Sequence, residues 1–210
     1  ASDVYKRQLH ALQHRGQESA GIVSFDGKNF NNQLNLGLVG DNFTKEKVIK
    51  RLPGYAALGH VRYSTTGKTL FKNIQPLFAD LQGGGLACSH NGNLTNGIEL
   101  RKRLIKEGSI FQSTSDTEVF IHLISKSKEK TIVKKIIDAL YEIKGAYSFG
   151  FLTKKKIIGI ARAIYQNSSI ILLDEATRNL DPENDRIIMN SIKILKKKKK
   201  IHNFYKKEIR

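Results

Sequence analysis

GGLACSHNG, Gly84–Gly92, continues directly into NLTN, Asn93–Asn96. The small and apolar first part reads as a β-strand, and the polar end as the point where the chain leaves it. A strand ending in His90-Asn91-Gly92 can aim an asparagine amide and a free backbone N–H at one place. An oxyanion hole for the tetrahedral intermediate of acyl transfer needs that pair of donors.

Elements of both kinds surround this strand. Upstream, the apolar spacing from Leu9 to Ser19 suits a helix that ends near Gly21. AGIVSFDG (20–27) and NNQLNLGLV (31–39) read as strands joined by a turn at Asp26-Gly27. FTKEKVIKRL (43–52) reads as a helix stopped before Pro53-Gly54, and YAALGHVRYS (55–64) as a strand followed by a long loop around Thr65–Asn73. Downstream, helices are expected over Asn96–Glu107, Asp116–Lys126 and Ile132–Ile143, with Thr114 and Ser115 as N-cap candidates for the second. AYSFGFLT (146–153) and KKIIGIA (155–161) then suit a hairpin. Strands, then helices, then strands fit a layered α+β domain better than a parallel βαβ sheet.

Composition narrows the classes further. The chain has 210 residues with 40% hydrophobic and 26% charged residues, enough for a core and too apolar for wholesale disorder. No apolar run reaches the roughly 18 residues of a membrane span, and no signal-peptide core opens the chain. A single cysteine excludes an intramolecular disulfide framework. These features lead to the expectation of a cytoplasmic protein. The net charge of +17 divides into +8 over residues 1–153 and +9 over residues 154–210. Nine of the basic residues lie between Lys193 and Arg210, so the basicity belongs to a solvated tail, and no specific nucleic-acid partner is expected.

Four clusters carry chemistry: HRGQES (14–19), GHVRYSTTG (59–67), HNGNLTN (90–96) and STSDTE (113–118). Arg62 at a strand end is suited to gripping a carboxylate in bidentate fashion. Asp116 at a helix start is suited to an ammonium group. Singly, each has an ordinary use: a turn, a surface ion pair, a helix cap. In this order the clusters closely resemble the glutamine amidotransferase domain of the amidophosphoribosyltransferase family. The likeness runs from LHALQHRGQESAGIV at Leu9 through GLVGDNF, GHVRYSTTG, NIQPL, HNGNLTNGIELR and IFQSTSDTEVFIHLI to IKGAYSFGFLT, or residues 9–158. The resemblance implies an N-terminal-nucleophile αββα sandwich, two antiparallel sheets between helical layers. It implies hydrolysis of L-glutamine, with Asn91 and Gly92 as oxyanion hole, Arg62 on the α-carboxylate, Asp116 on the α-amino group, and Thr65 and Arg15 lining the pocket. Neither cofactor nor metal is implied for this domain. The family's Mg²⁺ and phosphoribosyl pyrophosphate sites belong to a transferase domain that these residues do not contain. Parent enzymes of the family are homo-oligomeric.

The family's nucleophile is an N-terminal cysteine whose own amine acts as the base. Ala1 stands first here, and Cys88 reads as a buried bystander, so the chain is expected to be inactive by that route. One codon choice for DVYKRQ (3–8) spells a transposon mosaic end, which marks residues 1–8 as a sequencing scar foreign to the fold.

Residues 158–195 resemble a second family, the ATP-binding subunit of ABC transporters, and imply a short α/β fragment over 159–195. SIILLDEAT (169–177) matches a Walker B strand, in which Asp174 would help hold Mg²⁺ and Glu175 would polarise water; Asp181 falls in the D-loop text. No GxxxxGK[ST] loop occurs in the sequence. Helices are expected over 160–169 and 182–195, a chimera joined near 156–162, and a basic disordered tail over 196–210. The rival functions are therefore a transporter ATPase fragment and a basic nucleic-acid-binding protein.

Overall fold

A computed structural model describes residues 2–43, 45–63, 70–154, 157–161, 170–174 and 200–204. The chain divides into two units, Ala1–Gly159 and Ile160–Arg210. The first begins with α1 (Ser2–Ala11) and a 3₁₀ turn at Gln13–Arg15. Then come β1 (Ser19–Phe25), β2 (Phe30–Leu36), the short helices α2 (Val39–Asn42) and α3 (Glu46–Lys50), and β3 (Ala56–Arg62). β4 (Leu77–Leu81) and β5 (Gly84–Leu94) precede α4 (Gly97–Lys106), α5 (Asp116–Lys126) and α6 (Ile132–Glu142). β6 (Gly145–Thr153) and β7 (Ile157–Ala161) follow. The strands form one sheet in the order β2-β1-β3 and another in the order β4-β5-β6-β7.

Strand alternation sorts the side chains into layers. From β1, Ala20 and Ile22 join Leu9, Val39, Phe43 and Leu52 in a cluster beneath α1–α3. The opposite face of β1 sends Val23 and Phe25 against Ala87 of β5 and Leu152 of β6, between the sheets. β3 divides the same way: Ala57 and Val61 face the helical cluster, while Ala56 and Leu58 face the inter-sheet one. Beyond the second sheet, Phe149 and Phe151 of β6 pack on Phe120 of α5, with Phe120 and Phe149 stacked at 4.4 Å and 18°. Helix, sheet, sheet, helix is the resulting order, the α+β sandwich expected from the sequence.

Several elements differ from the sequence reading. The first helix covers Ser2–Ala11 rather than Leu9–Ser19, so most of residues 1–8, set aside as foreign, lies within α1. At Gly16 the chain runs extended against β3, where a Cβ would come within 2.6 Å of the Arg62 backbone, and a helix continuing to Ser19 has no room. The Gln13 side chain fixes this exit, donating to Gly16 O and accepting from the Val39 N–H at 2.6 Å. β4 is absent from the sequence reading because five residues give too short a pattern. Of the two cap candidates, Ser115 caps α5, accepting from the Thr117 N–H at 3.2 Å. Glu118, at the third helical position, reaches back to the N–H groups of Gln112 and Ser113.

In the second unit, β8 (Ile170–Asp174) pairs in parallel with β9 (Lys200–Phe204), in register from Ile170↔Lys200 to Asp174↔Phe204. Residues 200–204, inside the tail expected to be disordered, form β9. The apolar strand IILLD leaves backbone donors and acceptors that need partners, and KIHNF satisfies one edge. The helix expected over 160–169 begins inside β7, and its remainder and the helix over 182–195 lie outside the described residues. Among the described residues no helix is long and apolar enough to cross a membrane.

Phe120 is fully buried in the aromatic layer. Phe120→Ala is expected to destabilise the chain by about 3–5 kcal/mol, read as a lowered urea midpoint with the slope unchanged.

Candidate functional site

Inter-sheet packing closes the middle of the sandwich, and a cavity of about 840 Å³ opens beyond it. Its lining includes Arg15, His60, Arg62, Asn91, Gly92 and Asp116. Of the amidotransferase site residues expected from the sequence, Arg62, Asn91, Gly92, Asp116 and Arg15 thus share one cavity. Thr65 lies outside the described residues, as do Glu175 and Asp181 of the transporter-like segment, while Asp174 ends β8.

Each position has a local cause. Arg62 ends β3, where alternation from Ala56 and Leu58 turns it to the space between the sheets. Its Nη1 donates to Asn73 O at 3.4 Å. Gly92 sits near the end of β5 with φ +145°, paired with Tyr147. A Cβ there would fall 2.2 Å from Ala146 O, so only glycine lets β5 and β6 approach this closely. Among the described residues no hydrogen bond engages the exposed Asn91 side chain, which leaves its amide available to a ligand.

Asp116 begins α5, and its Oδ2 accepts from the Leu94 N–H at 3.0 Å, tying the helix start to the end of β5. Its other oxygen, Oδ1, lies 3.3 Å from His90 Nδ1. Burial works to raise the Asp116 pKa, but His90 and the Leu94 and Thr117 N–H groups outweigh it and hold the carboxyl below its ordinary value. A carboxylate kept ionised at a cavity wall suits a substrate ammonium.

Residues that the sequence reading did not single out support this wall. Asn73 bridges two loops, donating to Thr114 Oγ1 at 2.8 Å and accepting from the Thr114 N–H at 2.9 Å. Gln75 Oε1 accepts from the His90 N–H at 2.6 Å. Both residues sit in NIQPL, a phrase quoted for its likeness, but amides that brace backbone 15 to 41 residues away leave no local pattern. Cys88 faces away from the cavity chemistry: it is fully buried, and burial, with a contribution from the Asp116 charge, drives its thiol pKa far up.

A glutamine amidotransferase domain family matches residues 60–178. The amidophosphoribosyltransferase of Lacticaseibacillus casei is 46% identical over 154 residues, covering 73% of this chain and 79% of that protein. The chain belongs to the amidophosphoribosyltransferase family. The Rhizobium etli amidophosphoribosyltransferase is 54% identical over 150 residues, which cover 71% of this chain and 30% of that protein. The chain thus spans about a third of such relatives, the part that forms the glutamine amidotransferase domain. Among solved structures, the glutamine phosphoribosylpyrophosphate amidotransferase of B. subtilis, complexed with ADP and GMP, superposes with a TM-score of 0.71 at 41% identity, covering 77% of this chain and 34% of that one. A structure described as the allosteric regulatory enzyme of purine biosynthesis gives 0.73 at 42%, covering 77% and 35%. The αββα sandwich is therefore the N-terminal-nucleophile fold of this family. The domain match runs on to residue 178, into the transporter-like segment, and the family assignment does not extend to an ABC subunit.

His60 supplies a pH signature for the site. Burial, opposed by a hydrogen bond to the His90 backbone and reinforced by the charges of His90 and Arg62, pushes its pKa down to about 4. Its Nδ1 is buried without a partner. Between pH 6.5 and 4 the unfolded chain binds a proton at this residue and the folded chain does not. Stability from this group is thus complete above pH 6.5 and declines as pH falls, by up to about 3 kcal/mol at pH 4. The expected NMR result is a His60 ring titrating near pH 4; a midpoint at the ordinary histidine value contradicts the enclosure of its Nδ1.

Proposed function

We propose that the cavity binds L-glutamine and serves its hydrolysis to glutamate and ammonia, as the glutaminase domain of an amidophosphoribosyltransferase that makes phosphoribosylamine for purine synthesis. The observation that carries this reading is the convergence of Arg62, Asn91, Gly92 and Asp116 on one cavity. Arg62 pairs with the α-carboxylate through two parallel charge-assisted hydrogen bonds. Asp116 receives the α-ammonium. The side-chain amide then points toward Asn91 and Gly92, whose donors stabilise the oxyanion formed when a nucleophile adds to the carbonyl. Arg15 at the rim, and Thr65 by family likeness, complete the lining.

The attacking group is not Cys88. A thiol closed off from the cavity, with its pKa driven up, supplies no thiolate. By family likeness the nucleophile is an N-terminal cysteine with its own amine as base. This chemistry uses no metal or cofactor, and the partner is a free amino acid rather than a nucleic acid. Homo-oligomerisation of the intact enzyme is part of the same proposal.

Calorimetry on the chain tests the binding step. L-Glutamine is expected to bind in preference to D-glutamine and to glutamine with its α-carboxyl blocked as an amide. Arg62→Ala should weaken L-glutamine by about 10–100-fold. Equal binding of the two enantiomers, or an unaffected Arg62→Ala variant, contradicts the proposal.

For residues 159–195, the text SIILLDEATRNLD supports a remnant of a transporter ATPase joined to the amidotransferase domain. The domain match running to residue 178 weighs against it. Without a phosphate-cradling loop, Asp174, Glu175 and Asp181 have no nucleotide to serve. Millimolar MgATP is expected to leave the melting temperature unchanged, and a saturable rise in it would overturn this account.

A further inference from the structure

One of the residues that line the cavity is a histidine whose side chain has no part in the proposed chemistry. His90 is 4% exposed, and its ring stacks on Phe149 at 4.4 Å and 17°. Phe149 in turn stacks on Phe120, so one aromatic column fixes the imidazole plane. The backbone is fixed as well, through the His90 N–H to Gln75 Oε1 at 2.6 Å. In this pose Nδ1 lies 3.3 Å from Asp116 Oδ1 and 3.5 Å from Thr117 Oγ1, while Nε2 is buried with no partner.

An ionised carboxylate only accepts hydrogen bonds, so the contact with Asp116 places the proton on Nδ1. The two Asp116 oxygens are then divided: Oδ2 takes the Leu94 N–H and Oδ1 takes His90. Both bonds come from β5, one from the backbone and one from a side chain that cannot rotate within its stack. The carboxylate is held in one rotamer at the cavity wall, its Oδ1 still able to accept a further donor. Without His90, Oδ1 loses the side-chain donor that β5 supplies.

We infer that His90 is a positioning residue, which orients Asp116 for the substrate's α-ammonium group and so sets the preference for an α-amino acid over the same molecule without its amine. This rests on the reading of the cavity as a glutamine site. The buried His90 side chain makes none of the proposed substrate contacts. It acts through Asp116, and the stacking and the hydrogen bond are separable parts of its role.

Two variants separate them. His90→Phe keeps a stackable ring and removes the donor; His90→Asn loses the stack but places an amide N–H near the former Nδ1. The probes are L-glutamine and 4-carbamoylbutanoate, which is glutamine without its α-amine. In the 210-residue chain, His90→Phe is expected to lower the preference for glutamine over the analogue by about tenfold, with affinity for the analogue changed less than about twofold. His90→Asn should lose stability yet retain most of that preference. A preference unchanged in His90→Phe, or lost equally in both variants, overturns the inference.

A readout without ligand keeps this result apart from the glutamine reading. The Asp116 carboxyl titrates by NMR among His90 and Cys88 of β5 and His60 and Arg62 of β3. Its midpoint should rise in His90→Phe and stay low in His90→Asn; an unmoved midpoint in His90→Phe also overturns the inference. If the unaltered chain binds neither probe while the midpoint moves as expected, the glutamine reading fails and the positioning of Asp116 stands.

Discussion

The end of the β5–β6 pairing governs the rest of the structure. Gly92 and Gly145 both have positive φ there, and a Cβ on either would sit within about 2.2 Å of the opposing backbone. No other residue type fits without parting the strands. This close approach carries Asn91 and Gly92 to the cavity and brings Leu94 to the start of α5, where its N–H meets Asp116. Asn91, Gly92 and the Asp116 carboxylate are thereby linked through one strand. Arg62 arrives from the other sheet, and the packing of β3 on β5 and β6 sets its distance from them.

The site is assembled from rigid pieces with few degrees of freedom left. Asp116 is tied to β5 twice, Thr114 is locked to Asn73 in both directions, and the His90 backbone is held by Gln75. Sites held in this way lose little entropy on binding, which is how a small amino acid can be gripped by a handful of polar groups. Charge is organised to the same end. A carboxyl kept low and a histidine kept neutral at ordinary pH share the cavity with one guanidinium, which puts both signs of charge on its wall.

Much of this was legible in the sequence where the signal is local. Ser115 and Glu118 bracket the start of α5, and its observed span is the expected Asp116–Lys126. β1 and β6 stand out as apolar runs. The cluster HNGNLTN announced a donor-rich strand end, and likeness to the family joined it to Arg62 and Asp116. Features that depend on distant partners were hidden. The exit of α1 is set by the approach of Gly16 to Arg62, 46 positions later, and β4 forms because β5 offers it an edge. His60 and His90 stood inside quoted motifs, but nothing in the text of a motif shows that one imidazole has an enclosed Nδ1 and the other stacks on Phe149.

The central claim is that Arg62, Asn91, Gly92 and Asp116 enclose a single amino acid. Backbone and guanidinium ¹H–¹⁵N shifts of the chain titrated with L-glutamine test it most directly. The account predicts saturable changes at the Gly92 and Leu94 amides and at the Arg62 guanidinium, all following one binding curve. Changes confined to one of these groups, or following separate curves, would contradict it.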